Sequence, residues 1–152
     1  MPTPSKPSGD DMRTWTQRSL DNMKGLHPDL ILVLNRALQT SPHMFVVTEG
    51  LRTLERQKEL VRIGASKTLK SRHLKQADGY GHAFDFYALV DINNDGKITF
   101  EEMSNVRLML PIADAIKAAA KEKNVALTYG GDWRSFKDYP HFELDRKVYP
   151  GN

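Results

Sequence analysis

The chain has 152 residues, of which 39% are hydrophobic and 27% charged, a composition typical of one soluble globular domain. It contains no cysteine, which excludes disulfides, thiolate metal sites and cysteine nucleophiles, so that a metal site would have to be built from His, Asp and Glu. The net charge of +3 is mild and the basic residues are scattered among acidic ones, a pattern that does not favour nucleic acid as a partner.

The N-terminus and the apolar segments indicate where in the cell the protein resides. The N-terminal residues 1–10, rich in Pro and Ser, predict a disordered lead-in, and residues 11–152 a single domain. No apolar run reaches the roughly 20 residues that cross a bilayer, so we expect no stable membrane association. The N-terminus also lacks the apolar segment of a secretory signal. We therefore expect a monomer that stays in the cytoplasm where it is made unless another protein releases it.

Helical and extended patterns follow one another without the regular alternation of a parallel sheet. Pro28 begins an apolar helical stripe, and Thr53 and Gly64 mark the start and the end of another helix. The predicted elements are helices at 11–25, 28–40, 54–63 and 101–123, the last broken or kinked at Pro111, strands at 43–50, 82–89, 125–131 and 140–145, and a long loop at 65–81. This order predicts an α+β fold, a small and mostly antiparallel sheet with helices packed on it.

Residues 91–102, DINNDGKITFEE, have the pattern of a twelve-residue calcium loop. Oxygen-bearing groups occupy positions 1, 3, 5, 7, 9 and 12, and Gly96 occupies the turn at position 6. The T-x-x-E spacing at its end is also that of a helix capping box, but a capping box does not explain the alternating acidic residues before it. Because a strand precedes the loop, we expect an EF-hand-like loop inserted between a strand and a helix, with calcium bound by Asp91, Asn93, Asp95, the Lys97 carbonyl, Thr99 and Glu102.

Alternation along two predicted strands places polar side chains on common faces. In GHAFDF, Asp85 lies on the face opposite His82, and in PHFEL, His141 and Glu143 share one face. Two strands can therefore present Asp85 and His141 side by side, and His73 can reach them from the preceding loop. Two nitrogens and one carboxylate with an open fourth position form the arrangement of a catalytic zinc site. Because Glu143 shares a face with His141, it can orient this ligand histidine without itself binding the metal.

Several segments resemble a known family. SRH, GHAFDF, GGDW and DYPHFEL, with the arginine of EGLRT, are similar in order to the signature of the zinc D-alanyl-D-alanine carboxypeptidase and L-alanyl-D-glutamate peptidase family, and VTEGLRTLERQKELVRIGAS resembles its bacteriophage endolysin branch. The resemblance covers residues 25–145. It implies a zinc peptidase acting on peptidoglycan, with zinc bound by His73, Asp85 and His141, with Asp138 as general base and with Arg52 holding the substrate carbonyl.

The chain departs from the family pattern after His73. Seven residues separate His73 from Gly81, so the loop is longer than the family pattern and His82 becomes a rival first ligand. Strand parity and the family pattern both favour His73.

The endolysin resemblance also implies action on the cell wall after release from the host cytoplasm by a separate holin-type protein. Because Asp91 lies only six residues after Asp85, we expect calcium to order the strand end beside a zinc ligand and to raise activity outside the cytoplasm. Two other functions stay open at this point. One is a D-alanyl-D-alanine carboxypeptidase or dipeptidase, and the other is a non-catalytic, calcium-dependent wall-binding protein.

Overall fold

A computed structural model of the chain describes residues 12–151, so the predicted lead-in at 1–10 lies outside the described residues. The elements confirm the predicted α+β class. They are α1 (Gln17–Met23), α2 (Pro28–Thr40), β1 (Phe45–Glu49), α3 (Leu54–Arg62), β2 (Ala83–Ala88), α4 (Phe100–Met103), α5 (Val106–Glu122), β3 (Leu127–Tyr129), a 3-10 turn (Gly130–Asp132) and β4 (His141–Leu144). No helix among the described residues has the length and apolarity needed to cross a bilayer.

The four strands form one sheet in the order β1-β2-β4-β3, and each neighbouring pair is antiparallel. In the β2–β4 ladder Asp85 lies directly opposite His141, and Phe84 lies opposite Phe142. Opposed residues share a face of the sheet, so this register places the acid and the histidine together on one face. The side-by-side placement expected from strand parity is therefore present.

The hydrophobic core lies on the other face of the sheet. Phe84 and Phe142 are fully buried and stack with ring centroids 5.5 Å apart. Helices α2 and α5 pack against each other and bury an apolar stripe against these rings, in one cluster that includes Leu30, Leu34, Met109, Ile112 and Ile116. Because the core residues occupy alternate strand positions, the intervening polar residues of β2 and β4 face away from it.

Two predicted helices have different bounds in the structure. Helix α1 begins at Gln17 because the Thr16 hydroxyl caps it, accepting a hydrogen bond from the Ser19 N–H over 3.1 Å. The break predicted at Pro111 is wrong, since α5 is continuous through this proline and the interruption lies at 104–105. There the Asn105 side chain accepts from the Arg107 N–H over 2.9 Å and starts α5 as a separate helix.

Candidate metal centre and cleft

Three potential metal ligands from distant parts of the chain meet at one end of the sheet. One ligand atom each of His73, Asp85 and His141 lies within 4.8 Å of the others. His73 Nε2 and His141 Nδ1 both lie 3.3 Å from the same Oδ1 atom of Asp85. Ligand atoms about 2.0–2.1 Å from a tetrahedral zinc lie roughly 3.3–3.4 Å apart, so this donor set fits that ion.

Hydrogen bonds on the far sides of the two imidazoles fix which nitrogen faces the centre. His73 Nδ1 lies 2.9 Å from the Gly50 carbonyl oxygen, which can only accept, so Nδ1 carries the proton and Nε2 keeps its lone pair. His141 Nε2 lies 2.9 Å from Glu143 Oε1, which leaves Nδ1 directed at Asp85. A second group that holds each ligand histidine in this way is typical of metal sites.

The charges at the centre are strongly coupled. Burial raises the pKa of Asp85, but hydrogen bonds from His141 and His73 outweigh it and hold the pKa well below its usual range. Burial lowers the pKa of His141, but hydrogen bonds to Asp85 and Glu143 prevail and raise it to about 9. Burial likewise raises the pKa of Glu143, whereas hydrogen bonds to His141 and Arg146 bring it down to about 2. Without metal, the site therefore holds a protonated histidine between two carboxylates.

The rival histidine lies in another environment. His82 is 1% exposed, and its Nε2 is 2.7 Å from Asp78 Oδ2. The extra residues after His73 form a closed turn in which the Gln76 N–H donates to the Tyr80 carbonyl over 2.8 Å. This turn supplies Asp78 to His82, whose ring is not among the three converging groups.

Arg52 is held rigidly at the edge of the same cleft. Its Nε donates to Glu49 Oε1 over 2.6 Å, and its Nη1 donates to Gln57 Oε1 over 2.7 Å. The Ser71 hydroxyl accepts a longer bond from Nη1 and also accepts from the His73 N–H, at 3.4 and 3.2 Å respectively. The guanidinium is thus fixed by side chains from β1, α3 and the loop that carries His73.

Asp138 lines the cleft together with the three converging residues. Burial, and after it the charge of Asp85, raises the pKa of Asp138 above that of a free carboxyl. A carboxylate with a raised pKa is a better proton acceptor, which suits a general base. The ring of Trp133 lies 5.5 Å from the ring of His141 and forms a wall of the cleft, whose volume is about 440 Å³.

A second group of carboxylates lies in the loop after β2. Asp91, Asp95 and Glu102 each bring an oxygen within 4.8 Å of the others, and the Asn93 amide lies 3.0 and 3.1 Å from Asp91 Oδ1 and Asp95 Oδ1. Gly96 has φ +84° and donates its N–H to Asp91 Oδ2 over 2.8 Å, which closes the loop. The sequence pattern of this loop is thus folded so that its acids converge.

The end of this loop is also a helix start. Thr99 and Glu102 form the full capping box of α4, and the Ile92 N–H donates to Glu102 Oε2 over 2.6 Å. These backbone hydrogen bonds, from Thr99 first and then Ile92, lower the pKa of Glu102. The Lys97 N–H donates to Asp95 Oδ1 over 2.9 Å. The capping box and the convergence of the acids coexist, since a capping glutamate is held in place by the same bonds that aim it into the loop.

No role was predicted from the sequence for Gln57, Glu49 or Ser71. Gln57 is fully buried, and its amide also donates to Ser66 Oγ over 2.9 Å and to the Thr68 carbonyl over 2.6 Å. Ser71 stands inside the S-x-H motif, which was a usable signal. A glutamine on a short amphipathic helix carries no such signal, because its buried position depends on the loop that folds over it.

Comparisons with known proteins place the chain in context. A family model described as phage L-alanyl-D-glutamate peptidase matches residues 13–152. The L-alanyl-D-glutamate peptidase of Escherichia phage T5 is 31% identical over 127 residues, which cover 82% of this chain and 83% of that protein. The peptidoglycan L-alanyl-D-glutamate endopeptidase CwlK of Bacillus subtilis is 34% identical over 103 residues, which cover 65% of this chain and 59% of CwlK.

A solved structure is similar over nearly the whole fold. The crystal structure of the Serratia marcescens L-Ala D-Glu endopeptidase ChiX has a TM-score of 0.74 and 38% sequence identity to this chain. The match covers 93% of this chain and 97% of that one.

Proposed function

The chain belongs to the phage L-alanyl-D-glutamate peptidase family and is a peptidase, and from its cleft we propose that it is a zinc-dependent endolysin that hydrolyses the bond between L-alanine and D-glutamate in peptidoglycan stem peptides. The observation that carries the proposal is the convergence of His73 Nε2, Asp85 Oδ1 and His141 Nδ1 in the cleft that Asp138 and Arg52 also line. Two imidazoles and one carboxylate leave a position open, as catalytic zinc requires.

The residues around the metal centre each have a role in the proposed amide hydrolysis. Zinc bound by these three ligands would act as a Lewis acid and lower the pKa of water towards about 7. Asp138 accepts the proton of the attacking water and passes it to the leaving amine of D-glutamate. Arg52 donates a hydrogen bond to the oxygen of the scissile carbonyl, where negative charge develops. Glu143 holds His141 in the tautomer that keeps Nδ1 free.

Digestion of purified peptidoglycan followed by mass spectrometry tests the proposal. We expect fragments with a new D-glutamyl amine, and we expect zinc in a 1:1 ratio to protein after metal analysis. Asp138→Asn should still bind zinc, and its turnover should fall about 10²–10⁴-fold, which is the usual contribution of a general base to the rate. Release of D-alanine instead of a D-glutamyl amine, or near wild-type turnover by Asp138→Asn, contradicts the proposed reaction or the proposed base.

We further propose that the loop at 91–102 binds calcium and that calcium raises activity. The converging acids Asp91, Asp95 and Glu102 support the binding. Support for a link to the cleft comes from the next helix, where the ring of Phe100 lies 5.5 Å from the ring of Tyr87 on β2, the strand that carries Asp85. The loop follows β2, which carries Asp85, and leads into α4, which contacts β2. Calcium that orders the loop would therefore also order the strand that carries this zinc ligand.

The route to the wall is part of the same proposal. The enzyme would be made as a monomer in the host cytoplasm, where free calcium is scarce, and would reach the wall with the help of a holin-type protein. Turnover measured in metal-buffered solutions that hold zinc constant, with and without calcium, tests the regulatory part. Equal turnover in both solutions rules out calcium activation without bearing on the peptidase activity.

A further inference from the structure

Among the described residues, five arginine and lysine side chains line the cleft, and three of them are bonded to groups of the protein. Arg72 is buried and donates to backbone carbonyl oxygens. Arg146 and Arg52 donate through Nε to the carboxylates of Glu143 and Glu49, over 2.9 and 2.6 Å. The remaining two are Arg56 and Lys70, which are both exposed. Within residues 12–151, neither of these two side chains forms a hydrogen bond, and neither has a carboxylate within 4.0 Å.

Arg56 and Lys70 occupy the outer part of the cleft, on two elements that are tied together. Arg56 and Leu60 lie one turn apart on α3 and both line the cleft, as does Arg52, which precedes this helix. Lys70 lies on the facing loop. The buried amide of Gln57 fixes that loop to α3 through its bonds to the Ser66 hydroxyl and the Thr68 carbonyl.

The two ends of the cleft differ in charge. Glu49, Asp85, Asp138 and Glu143 surround the metal end, whereas the outer end on α3 and its loop contributes cations. Arg52, Arg146 and the zinc of the proposed function offset the acids of the metal end, whereas Arg56 and Lys70 have no carboxylate partner within residues 12–151 and attract an anionic group on a bound substrate. Arg56 and Lys70 therefore favour an orientation in which a carboxylate of the substrate lies at the outer end of the cleft.

The substrate of the proposed function carries such a group. A D-glutamyl residue has two carboxyl groups, and extension of the peptide uses only one, so the other is a free carboxylate unless it has been amidated. From bond lengths, the carbon of an α-carboxylate lies roughly 3–4 Å from the scissile carbonyl carbon, so the groups that bind it must line the same cleft as Arg52, as Arg56 and Lys70 do. We propose that Arg56 and Lys70 form the subsite for this carboxylate, so that the enzyme discriminates against stem peptides whose D-glutamate is amidated. This inference rests on the proposed function.

Two peptides that differ in one group test the subsite. The first contains an acyl-L-alanyl-γ-D-glutamyl unit with a free α-carboxylate, and the second is the same peptide with that carboxylate replaced by a primary amide. We expect wild-type kcat/KM to be at least about tenfold higher for the carboxylate peptide, since a charge-assisted hydrogen bond is roughly twice as strong as a neutral one. Rising salt should reduce the preference, because the subsite is exposed.

Variants separate recognition from a structural effect. Arg56→Gln and Lys70→Gln should each lower kcat/KM for the carboxylate peptide about tenfold and leave the amide peptide nearly unchanged, and the double variant should lose the preference. Lys58→Gln removes the same charge from α3 outside the cleft and serves as the matched control, with wild-type values for both peptides. Zinc content and Tm of all variants should equal those of the wild type.

The outcomes are distinct. Equal cleavage of both peptides by the wild type, or an equal loss on both peptides in the double variant, overturns the subsite while the peptidase assignment stands. If the wild type cleaves neither peptide, the proposed function fails and the subsite with it. Binding to the Asp138→Asn variant gives a second measurement, in which the carboxylate peptide should bind about tenfold more tightly than the amide peptide.

Discussion

The buried side chain of Gln57 accepts a hydrogen bond from Arg52 Nη1 over 2.7 Å while its own amide donates to the loop at 66–68. One amide therefore fixes both the arginine assigned to the substrate carbonyl and the wall of the cleft. Glutamine suits this position because it offers one acceptor and two donors on a single neutral group.

Replacement of Gln57 by Leu should disconnect both partners. We expect a loss of about 1–3 kcal/mol in the free energy of unfolding, because buried polar partners lose their bonds, and a lower kcat with zinc retained. Gln39 offers a control, since its amide makes comparable bonds to the backbone of Arg13 away from the cleft. Gln39→Leu should lower stability but keep kcat. Equal kcat for the two variants would show that Gln57 has no part in positioning Arg52.

Zinc binding should depend on pH through His141. The pKa of this imidazole in the metal-free protein is raised from 6.5 to about 9, so it carries a proton at neutral pH that must leave before Nδ1 can bind a metal. Apparent zinc affinity should therefore rise about tenfold per pH unit between pH 7 and 9 and then level off. Titration calorimetry in two buffers of different ionisation enthalpy should show release of about one proton at pH 7.5. Absence of proton release contradicts the raised pKa.

The same pKa values predict the stability of the metal-free protein. His141 has a raised pKa, so its contribution is fully present below pH 6.5 and is lost as pH rises through about 9. Glu143 has a pKa lowered from 4.5 to about 2, so its contribution is present above pH 4.5 and is lost as pH falls towards 2. Denaturant titrations across this range should give greatest stability between these limits. A stability maximum outside them would contradict the assigned coupling.

Glu143→Gln should weaken the metal site without removing a ligand. The amide keeps an oxygen that can accept from His141 Nε2 but has no charge to raise the basicity of the imidazole. We expect zinc affinity to fall about 10–100-fold, as for other groups that hold a ligand histidine. Competition with a chelator measures this, and an unchanged affinity would show that Glu143 does not support the ligand.

Gly130→Ala should displace the proposed base. A Cβ at this position would lie 2.5 Å from the Asp138 carbonyl oxygen and 3.0 Å from its Cβ, too close for the segment to stay in place. Turnover should fall by at least tenfold, since small displacements of a catalytic group are costly. The same Cβ would lie 3.1 Å from the Cβ of His141, so zinc affinity should fall as well. Wild-type turnover with full zinc content would contradict this crowding.

The calcium loop allows a comparison of neighbouring acids. Glu102→Gln keeps an oxygen for the helix cap but removes a charge that converges with Asp91 and Asp95, whereas Glu101 is exposed and outside that group. We expect Glu102→Gln to lose calcium binding at micromolar to millimolar concentrations, and Glu101→Gln to retain it. Calorimetry measures both. Equal binding by the two variants would exclude Glu102 as a ligand.

Strand parity predicted the faces on which Asp85 and His141 lie, and the register of β2 and β4 in the structure places the two residues opposite each other. Parity offered His73 only as a loop residue able to reach this pair, and the resemblance to a family then favoured His73 over His82. The ligand and catalytic roles of these residues stay predictions. The helix break was misplaced at Pro111 because the cap at Asn105 and packing in the core outweigh the local preference of proline.

The sequence by itself determined the α+β class, the alternation of core and polar positions and the acidic loop at 91–102, since each depends on residues a few positions apart whose spacing the backbone geometry fixes. The tertiary structure decided that His82 pairs with Asp78, that Gln57 joins Arg52 to the loop above it, and that Arg56 and Lys70 are left facing an open cleft. These contacts depend on the path of the loop at 65–81, and that path results from packing and hydrogen bonds with other elements, which no local periodicity encodes.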